Sequence, residues 1–303
     1  MGSAVGTGAE RPEGYRVVVL VAGGPDGPRP RVHPAGEPLL LADDLAAVRG
    51  DGCFETLLLV NGRVAKPERH LARLARSSSA LGITGGPTAE EWRAGIALAA
   101  REWGPGSEAM LRLVLSRGPE RGGAETAYIT VAPVGPHAVR ARAEGIAVTA
   151  LNRGFPADFA ATAPWMLLGS KTLSYAANMA ALRHAAANGF DDVVYLSAEG
   201  EVLEGPRSTL VIARSGELVS PPVEVGILEG TTLAALAEVA KGQGIAVRRE
   251  RLLMTDLLAA DAVWLLSSVT LAARVRRIDA VTLPEADPGI AVAGMVDRAV
   301  GRA

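Results

Sequence analysis

The stretch APVGPHAVRARAEG, residues 132–145, constrains the architecture more than any other feature of the chain. It holds two prolines and two glycines, shows no apolar periodicity, and interrupts a sequence otherwise patterned as strand and helix. Read as a linker over 133–145, it divides the 303 residues into a first unit over 15–132 and a second over 146–303. Residues 1–14, MGSAVGTGAERPEG, lack the apolar stretch of a secretion signal and read as a loose, disordered tail. An apolar fraction of 49% is ample for a core in each unit.

Local patterns fill in both units. YRVVVLVAGG (15–24) is a β-branched strand, and ETLLLVNGRVAK (55–66) is two strands joined at Asn61-Gly62, a strong hairpin signal. A helix is expected from Pro67 to a stop at Gly82, a second over 88–103 capped by Thr88, and strands over 109–116 and 127–132. In the second unit GIAVTAL is a strand, and TLSYAANMAALRHAAANG is an alanine-rich helix closed by Gly189. DDVVYLSAEGEVLEG and STLVIARSGELVSPP read as hairpins, and a helix opens at Thr231 or Thr232. A strand over 245–251, a helix near 255–260 and the strand AVWLLSS follow. Helices and mixed sheets in both units make the fold class α/β, of mixed α+β character.

The charge balance points away from polyanions. A net charge of −2 offers no basic footprint for nucleic acid or an anionic membrane surface, and no run approaches the roughly 18 apolar residues of a membrane span. One cysteine excludes an internal disulfide framework, four scattered histidines show no metal-ligand spacing, and VAGGPDG (21–27) lacks a nucleotide-binding glycine pattern. The expectation is a cytoplasmic protein with a small-molecule partner and no metal.

Only three of the 31 basic residues are lysines, so chemistry that needs a primary amine has three candidates. Lys66 sits in a polar turn beside Pro67, and Lys241 lies in the last turn of a helix, where its dipole favours a cation. Lys171 follows the apolar run WMLLGS. It is either a lysine surfacing at a helix start with its stem on Trp165, or a buried amine whose lowered pKa lets it attack a carbonyl. Glu204, in EVLEGPRST, can reach into a cleft from a hairpin strand or stay solvated. In GTT (230–232) free helix N–H groups meet two hydroxyls, which makes either an anion site or a simple cap. Arg73, one turn after His70, can offer a guanidinium fork to a phosphate.

Taken together and in order, these segments resemble the class IV aminotransferase-like enzymes of pyridoxal phosphate fold type IV. That family includes branched-chain aminotransferases, D-amino-acid aminotransferases and aminodeoxychorismate lyases. GDGCFET (50–56) is similar to the family's GDGxFE turn, PERHLARL to its xxHLxRL helix, and SKTLSYAANMAAL to the block opened by the Schiff-base lysine. EVLEGPRST, EGTTLAAL and LLSSVT match the acid, phosphate-helix and phosphate-loop segments, so that the likeness runs from about residue 39 to 271. It implies a two-domain fold, an N-terminal α/β sandwich lobe and a C-terminal pseudo-barrel lobe, that works as a homodimer. It also implies pyridoxal 5′-phosphate as cofactor, with Lys171 catalytic and Arg73, Lys171, Glu204, Thr231, Thr232 and Ser268 as its binding residues. The GDG turn then sets Phe54 and Glu55 at the cleft, with Cys53 a packed small residue.

Within that family the likeness is greatest to the lyases around GDGCF and LRLVLSRG, and Phe54 stands where D-amino-acid aminotransferases usually carry tyrosine. The resemblance therefore implies conversion of 4-amino-4-deoxychorismate to 4-aminobenzoate and pyruvate. A D-amino-acid or branched-chain aminotransferase is the alternative, and a non-catalytic small-molecule-binding protein the remote one. Two substrate carboxylates call for cations, and Arg112, Arg117, Arg121, Arg153 and Arg207 are the candidates. The substrate-binding set expected is Phe54, Arg117, Arg121, Arg207 and Val269, with Arg121 reaching into a neighbouring subunit.

Overall fold

A computed structural model describes residues 17–22, 30–285 and 288–302. The expected tail over 1–14, the ends of the 15–24 strand and most of VAGGPDG lie outside them. Six strands form the first sheet: β1 (Val17–Ala22), β2 (Arg31–His33), β3 (Gly52–Val60), β4 (Arg63–Val64), β5 (Ala109–Ser116) and β6 (Thr126–Pro133). They pair antiparallel throughout in the order β2-β1-β6-β5-β3-β4. With them run the short helix α1 (Leu45–Val48) and the longer α2 (Pro67–Ala80) and α3 (Ala89–Trp103). Thr88 caps α3 in a full capping box with Glu91.

Period-two alternation explains how β3 is buried on both faces. Leu57 and Leu59 join Leu71, Leu74, Trp92, Ile96 and Trp103 in a core under α2 and α3. Leu58 and Val60 pack with Leu233, Leu236, Trp264 and Leu271 of the second unit. One strand thus belongs to two cores, and its odd and even positions answer to different halves of the molecule.

Within the segment 133–145, Pro133 closes β6 and helix α4 (Pro136–Glu144) follows. Pro136 sits at its first position, Gly145 ends it, and only Ala141 is buried, which is why no apolar period shows in the sequence. The second sheet comprises β7 (Ile146–Asn152), β8 (Asp192–Leu196), β9 (Thr209–Arg214), β10 (Glu217–Ser220), β11 (Val247–Arg249), β12 (Ala262–Ser267) and β13 (Leu271–Ile278). Its order is β11-β10-β9-β12-β13-β7-β8, and β14 (Val281–Thr282) pairs with β13. The pairs β10·β11, β13·β7 and β7·β8 are parallel and the rest antiparallel. Helices α5 (Phe159–Thr162), α6 (Ala176–Ala187), α7 (Thr231–Gly242), α8 (Met254–Leu258) and α9 (Val292–Val300) complete this unit. No helix among the described residues is long and apolar enough to cross a membrane.

Candidate active site

The alanine-rich helix α6 begins at Ala176, four residues later than its composition suggests. The residues ahead of it are drawn out along β3. Phe54 N donates to Lys171 O at 3.0 Å and Leu173 N to Gly52 O at 2.8 Å, with Cys53 and Thr172 forming an isolated antiparallel bridge. β4 covers only Leu59 and Val60 of this edge, so the N-terminal half of β3 is free to take the Lys171 segment as a partner. Ser77 of α2 accepts a hydrogen bond from Lys171 N at 3.0 Å. This close approach demands Gly52: a Cβ there would stand 2.5 Å from Leu115 O and 2.7 Å from the Leu173 side chain. The GDG turn therefore clears a dock for the lysine-bearing segment.

Lys171 Nζ lies 4.5 Å from the centre of the Phe54 ring and 5.9 Å from that of Tyr175. The two rings meet edge to face at 5.4 Å. Burial, aided by the positive charges of Arg73 and Arg112, lowers the Lys171 pKa to about 8, against the pull of Glu55 and Glu204. Glu204 moves the opposite way. Burial raises its pKa to about 7, although Leu228 N donates to Oε2 at 3.1 Å and Arg153 stands 3.7 Å from Oε1. An amine and an acid thus share one cleft with pKa values displaced toward each other, so both can change charge near neutrality.

Glu55 is fully buried on the α2 side of β3. Arg73 holds it bidentately, Nε to Oε1 at 2.7 Å and Nη2 to Oε2 at 2.8 Å, and His70 Nδ1 lies 2.7 Å from Oε2. Burial would raise the Glu55 pKa, but these partners outweigh it and hold the carboxyl at about 2. The Glu55→Gln variant leaves Arg73 buried without its counter-charge and should lose about 3 kcal/mol of stability, read as the urea midpoint at unchanged slope. The third arm of Arg73, Nη1, donates to Glu229 O at 2.8 Å, immediately ahead of α7.

The mouth of α7 is the second feature of the cleft. Gly230, its N-cap, supplies no side-chain cap, so first-turn N–H groups stay available. Thr231 Oγ1 lies 3.4 Å from Ser268 Oγ, and His70 Nε2 stands 3.4 Å and 3.5 Å from these two hydroxyls. Thr232 is buried beside Thr231. A side chain at Gly230 would run into Thr209, so the backbone is kept bare where an anion would rest.

The structure thus brings together Phe54, Arg73, Lys171, Glu204, Thr231, Thr232 and Ser268, and it places the expected arginines in pairs of their own. Arg117 is paired with Asp51 at 2.7 Å and also donates to Leu81 O and Gly82 O. Arg121 is exposed on Asp43 at 3.0 Å, and Arg207 is half-exposed 3.7 Å from Asp192. Each has a carboxylate partner within this chain, a pairing that adjacency in sequence does not reveal. Val269 contributes its carbonyl to Arg142. Arg73 meets Glu55 and Glu229 before any phosphate. Glu55 and His70 were legible as cleft and helix residues, but not as a buried network with Arg73. Arg112 proves better placed than its neighbours: it is cross-strand from Thr56 on the Phe54 face of the sheet, 5.9 Å from that ring.

A buried amine against an aromatic face, an acid with a raised pKa and an uncapped helix mouth with two hydroxyls fit pyridoxal phosphate: aldehyde carbon, ring nitrogen and phosphate each find a matching group. Fold and site together define a pyridoxal-phosphate enzyme of fold type IV. Residues 52–278 match the family described as amino-transferase class IV. The chain belongs to that family.

Among curated proteins it is similar to a bifunctional aminodeoxychorismate lyase / D-amino acid transaminase of Mycobacterium tuberculosis, 46% identical over 274 residues, 88% of this chain and 94% of that one. Among solved structures it is similar to a hypothetical aminotransferase of M. tuberculosis, in a PLP-bound form and in a form with α-ketoglutarate and PMP. Both superpose with a TM-score of 0.89 at 44% identity and cover 94% of this chain; they are covered to 99% and 98% respectively. A fold IV-transaminase of Curtobacterium pusillum is 34% identical with a TM-score of 0.85, over 95% of this chain and 98% of that one.

Proposed function

We propose that this chain is a pyridoxal-phosphate-dependent lyase that converts 4-amino-4-deoxychorismate to 4-aminobenzoate and pyruvate. The observation that carries this reading is the Lys171 amine, lowered to about 8 and packed on the hydroxyl-free face of Phe54. A flat apolar wall beside a proton-carrying amine suits a ring that must lose one proton and become aromatic. The 46% identical relative, named for this activity first, supports it.

When bound, pyridoxal phosphate supplies an electron-withdrawing pyridinium ring conjugated to the carbon that bears the substrate's nitrogen. The chain does the rest. The neutral Lys171 amine removes the proton from that ring carbon and returns it to the enolpyruvyl methylene as the C–O bond breaks, so the proton ends in the methyl group of pyruvate. Glu204 holds the opposite end of the cleft with a carboxyl that can keep or release its proton near neutral pH. The α7 mouth, with Thr231, Thr232 and Ser268, would hold the phosphate, and Arg73 braces that mouth through Glu229 O. Phe54 and Tyr175 keep water from the amine.

Arg112 binds a substrate carboxylate. Among the described residues its guanidinium meets Met110 Sδ and faces the Phe54 ring rather than a carboxylate. The Arg112→Met variant should raise KM for the substrate about 10- to 100-fold and leave kcat within a few-fold, the loss of one charge-assisted hydrogen bond. Steady-state kinetics separate the two parameters.

The deciding experiment runs two assays on one preparation: aminobenzoate and pyruvate release without any keto acid, and amino transfer from D-amino acids to α-ketoglutarate. Equimolar aminobenzoate and pyruvate support the lyase. Amino transfer without aminobenzoate replaces it with the transaminase, the reading favoured by the relative's second activity and by the α-ketoglutarate complex.

The proposed working form is a homodimer. Trp165, 73% exposed, with Met166 and Met179 and the exposed alanines of α6, leaves an apolar surface for a second copy, and sedimentation tests it. A reducing cytoplasm suits Cys53, buried as a free thiol whose pKa burial pushes up to about 12.

A further inference from the structure

The loop between β12 and β13 carries Ser268 to the α7 mouth, yet it is held from elsewhere. Arg142 of α4 donates twice to Val269 O, once from Nε at 3.1 Å and again from Nη2. Its remaining arm, Nη1, meets Glu108 Oε2 at 2.6 Å, just before β5 of the first unit. The second oxygen of Glu108 accepts from Arg302, and Arg302 also meets Asp297 Oδ1 of α9 at 2.7 Å. The Arg142 side chain is only 11% exposed, so this is an interior contact rather than a passing surface pair. Glu108, Arg302 and Asp297 therefore line up behind Arg142, the residue that grips the carbonyl next to Ser268.

The residue that ends this loop and opens β13 is strained. Leu271, 2% exposed, has φ of +62°, the left-handed region that a buried leucine seldom adopts. Thr270 N donates to Ser267 Oγ at 3.1 Å and closes the turn on itself. Backbone held in a sparsely populated conformation persists where surrounding contacts over-determine it. Here the clamp on Val269 O is such a contact.

We infer that Arg142 is a positioning residue for the anion end of the site: by gripping Val269 O it fixes Ser268 Oγ against Thr231, and Glu108 fixes Arg142. The inference rests on the reading that the cofactor's phosphate sits at the α7 mouth. It assigns function to the helix between the two sheets, whose polar pattern offered no sign of it. It also couples phosphate grip to the arrangement of the two units, because the clamp is anchored in the first and acts in the second.

The test uses cofactor-free full-length protein, with binding followed by quenching of tryptophan fluorescence, and two probes: pyridoxal phosphate and pyridoxal, which lacks the phosphate. The Arg142→Met variant should raise the pyridoxal phosphate Kd about tenfold, the loss expected of a charge-assisted contact that orders one hydroxyl, and leave pyridoxal binding unchanged. The Arg142→Lys variant, able to reach Val269 O or Glu108 with one ammonium, should recover part of the loss. Melting temperatures measured alongside show whether the variants fold. Equal pyridoxal phosphate affinity in wild type and Arg142→Met overturns the inference. So does weakening of both probes alike, which would make Arg142 a general brace. A wild type that binds the two probes equally well overturns the anion-site reading itself, and the inference with it.

Discussion

The Lys171→Ala variant will lose the visible colour of bound pyridoxal phosphate together with lyase and transaminase turnover, by about 10⁴-fold or more. Two roles vanish at once. In the proposed reaction the amine is the covalent handle for the cofactor's aldehyde and the carrier of the substrate proton. No other lysine can substitute. Lys66 lies between β4 and α2, 3.6 Å from Glu238, and Lys241 lies in the exposed last turn of α7.

The fold should survive, because the segment is docked by backbone groups of residues 171 and 173 and not by the amine. Stability gives an independent check. The Lys171 pKa of about 8 in the folded chain lies below its ordinary value of 10.5, so the unfolded chain binds more protons between these limits. Wild-type stability then rises as pH climbs from about 8 toward 10.5, and below 8 the full penalty for keeping this amine in the cleft applies. The alanine variant lacks that rise. Cofactor-free protein melted across pH 7 to 10.5 should show a slope in wild type that is flattened in Lys171→Ala. Turnover within a hundredfold of wild type in a folded variant would overturn the assignment of the amine.

What the sequence reveals and what it conceals divide along a physical line. Asn61-Gly62, Thr88 with Glu91, and Gly52 act through contacts a few residues away or through steric limits on one residue, and such features are legible in the order of residues. The likeness of GDGCFET, PERHLARL and SKTLSYAANMAAL to one family marked Lys171, and the structure puts this lysine against Phe54 and in the field of Glu204.

The arginines behave otherwise. Arg112 and Arg117 lie on or beside one strand, but Arg117 is paired with Asp51, and the alternation of β5 sets Arg112 on the Phe54 face. Which guanidinium is left without a carboxylate depends on contacts between residues up to 78 positions apart, as for Arg121 with Asp43. The helix α4 was concealed for a related reason: one buried alanine leaves no period to see. The late start of α6 was concealed because alanine-rich composition favours helix on every side, and only the free edge of β3 draws residues 171–173 out of it.

The Glu204→Gln variant should slow turnover about 10²- to 10³-fold and at the same time stabilise the cofactor-free protein above pH 7. The rate falls because an amide can neither carry charge opposite a pyridinium nor exchange a proton with it. The gain follows from the same burial. The Glu204 pKa of about 7 in the folded chain lies above its ordinary 4.5, so the folded chain binds the proton more tightly. Wild-type stability then declines as pH rises through the window from about 4.5 to 7, and the loss is complete above 7. It amounts to at most about 3 kcal/mol.

Glutamine removes the titration but leaves Arg153 without its charge partner, with Arg153 Nε already lacking a hydrogen bond. The single variant should therefore gain about 1–2 kcal/mol at pH 8, and the Arg153→Met/Glu204→Gln double variant should gain more. Wild type and Glu204→Gln should approach one another toward pH 4.5, where the wild-type carboxyl is protonated in the folded state and half protonated in the unfolded one. Denaturant unfolding at pH 4.5, 6 and 8 reads all three points. A glutamine variant less stable than wild type at pH 8 would mean that Glu204 is held as a stable anion by Arg153 and Leu228. The cleft would then present a fixed charge, and the acid opposite Lys171 could not exchange a proton near neutral pH.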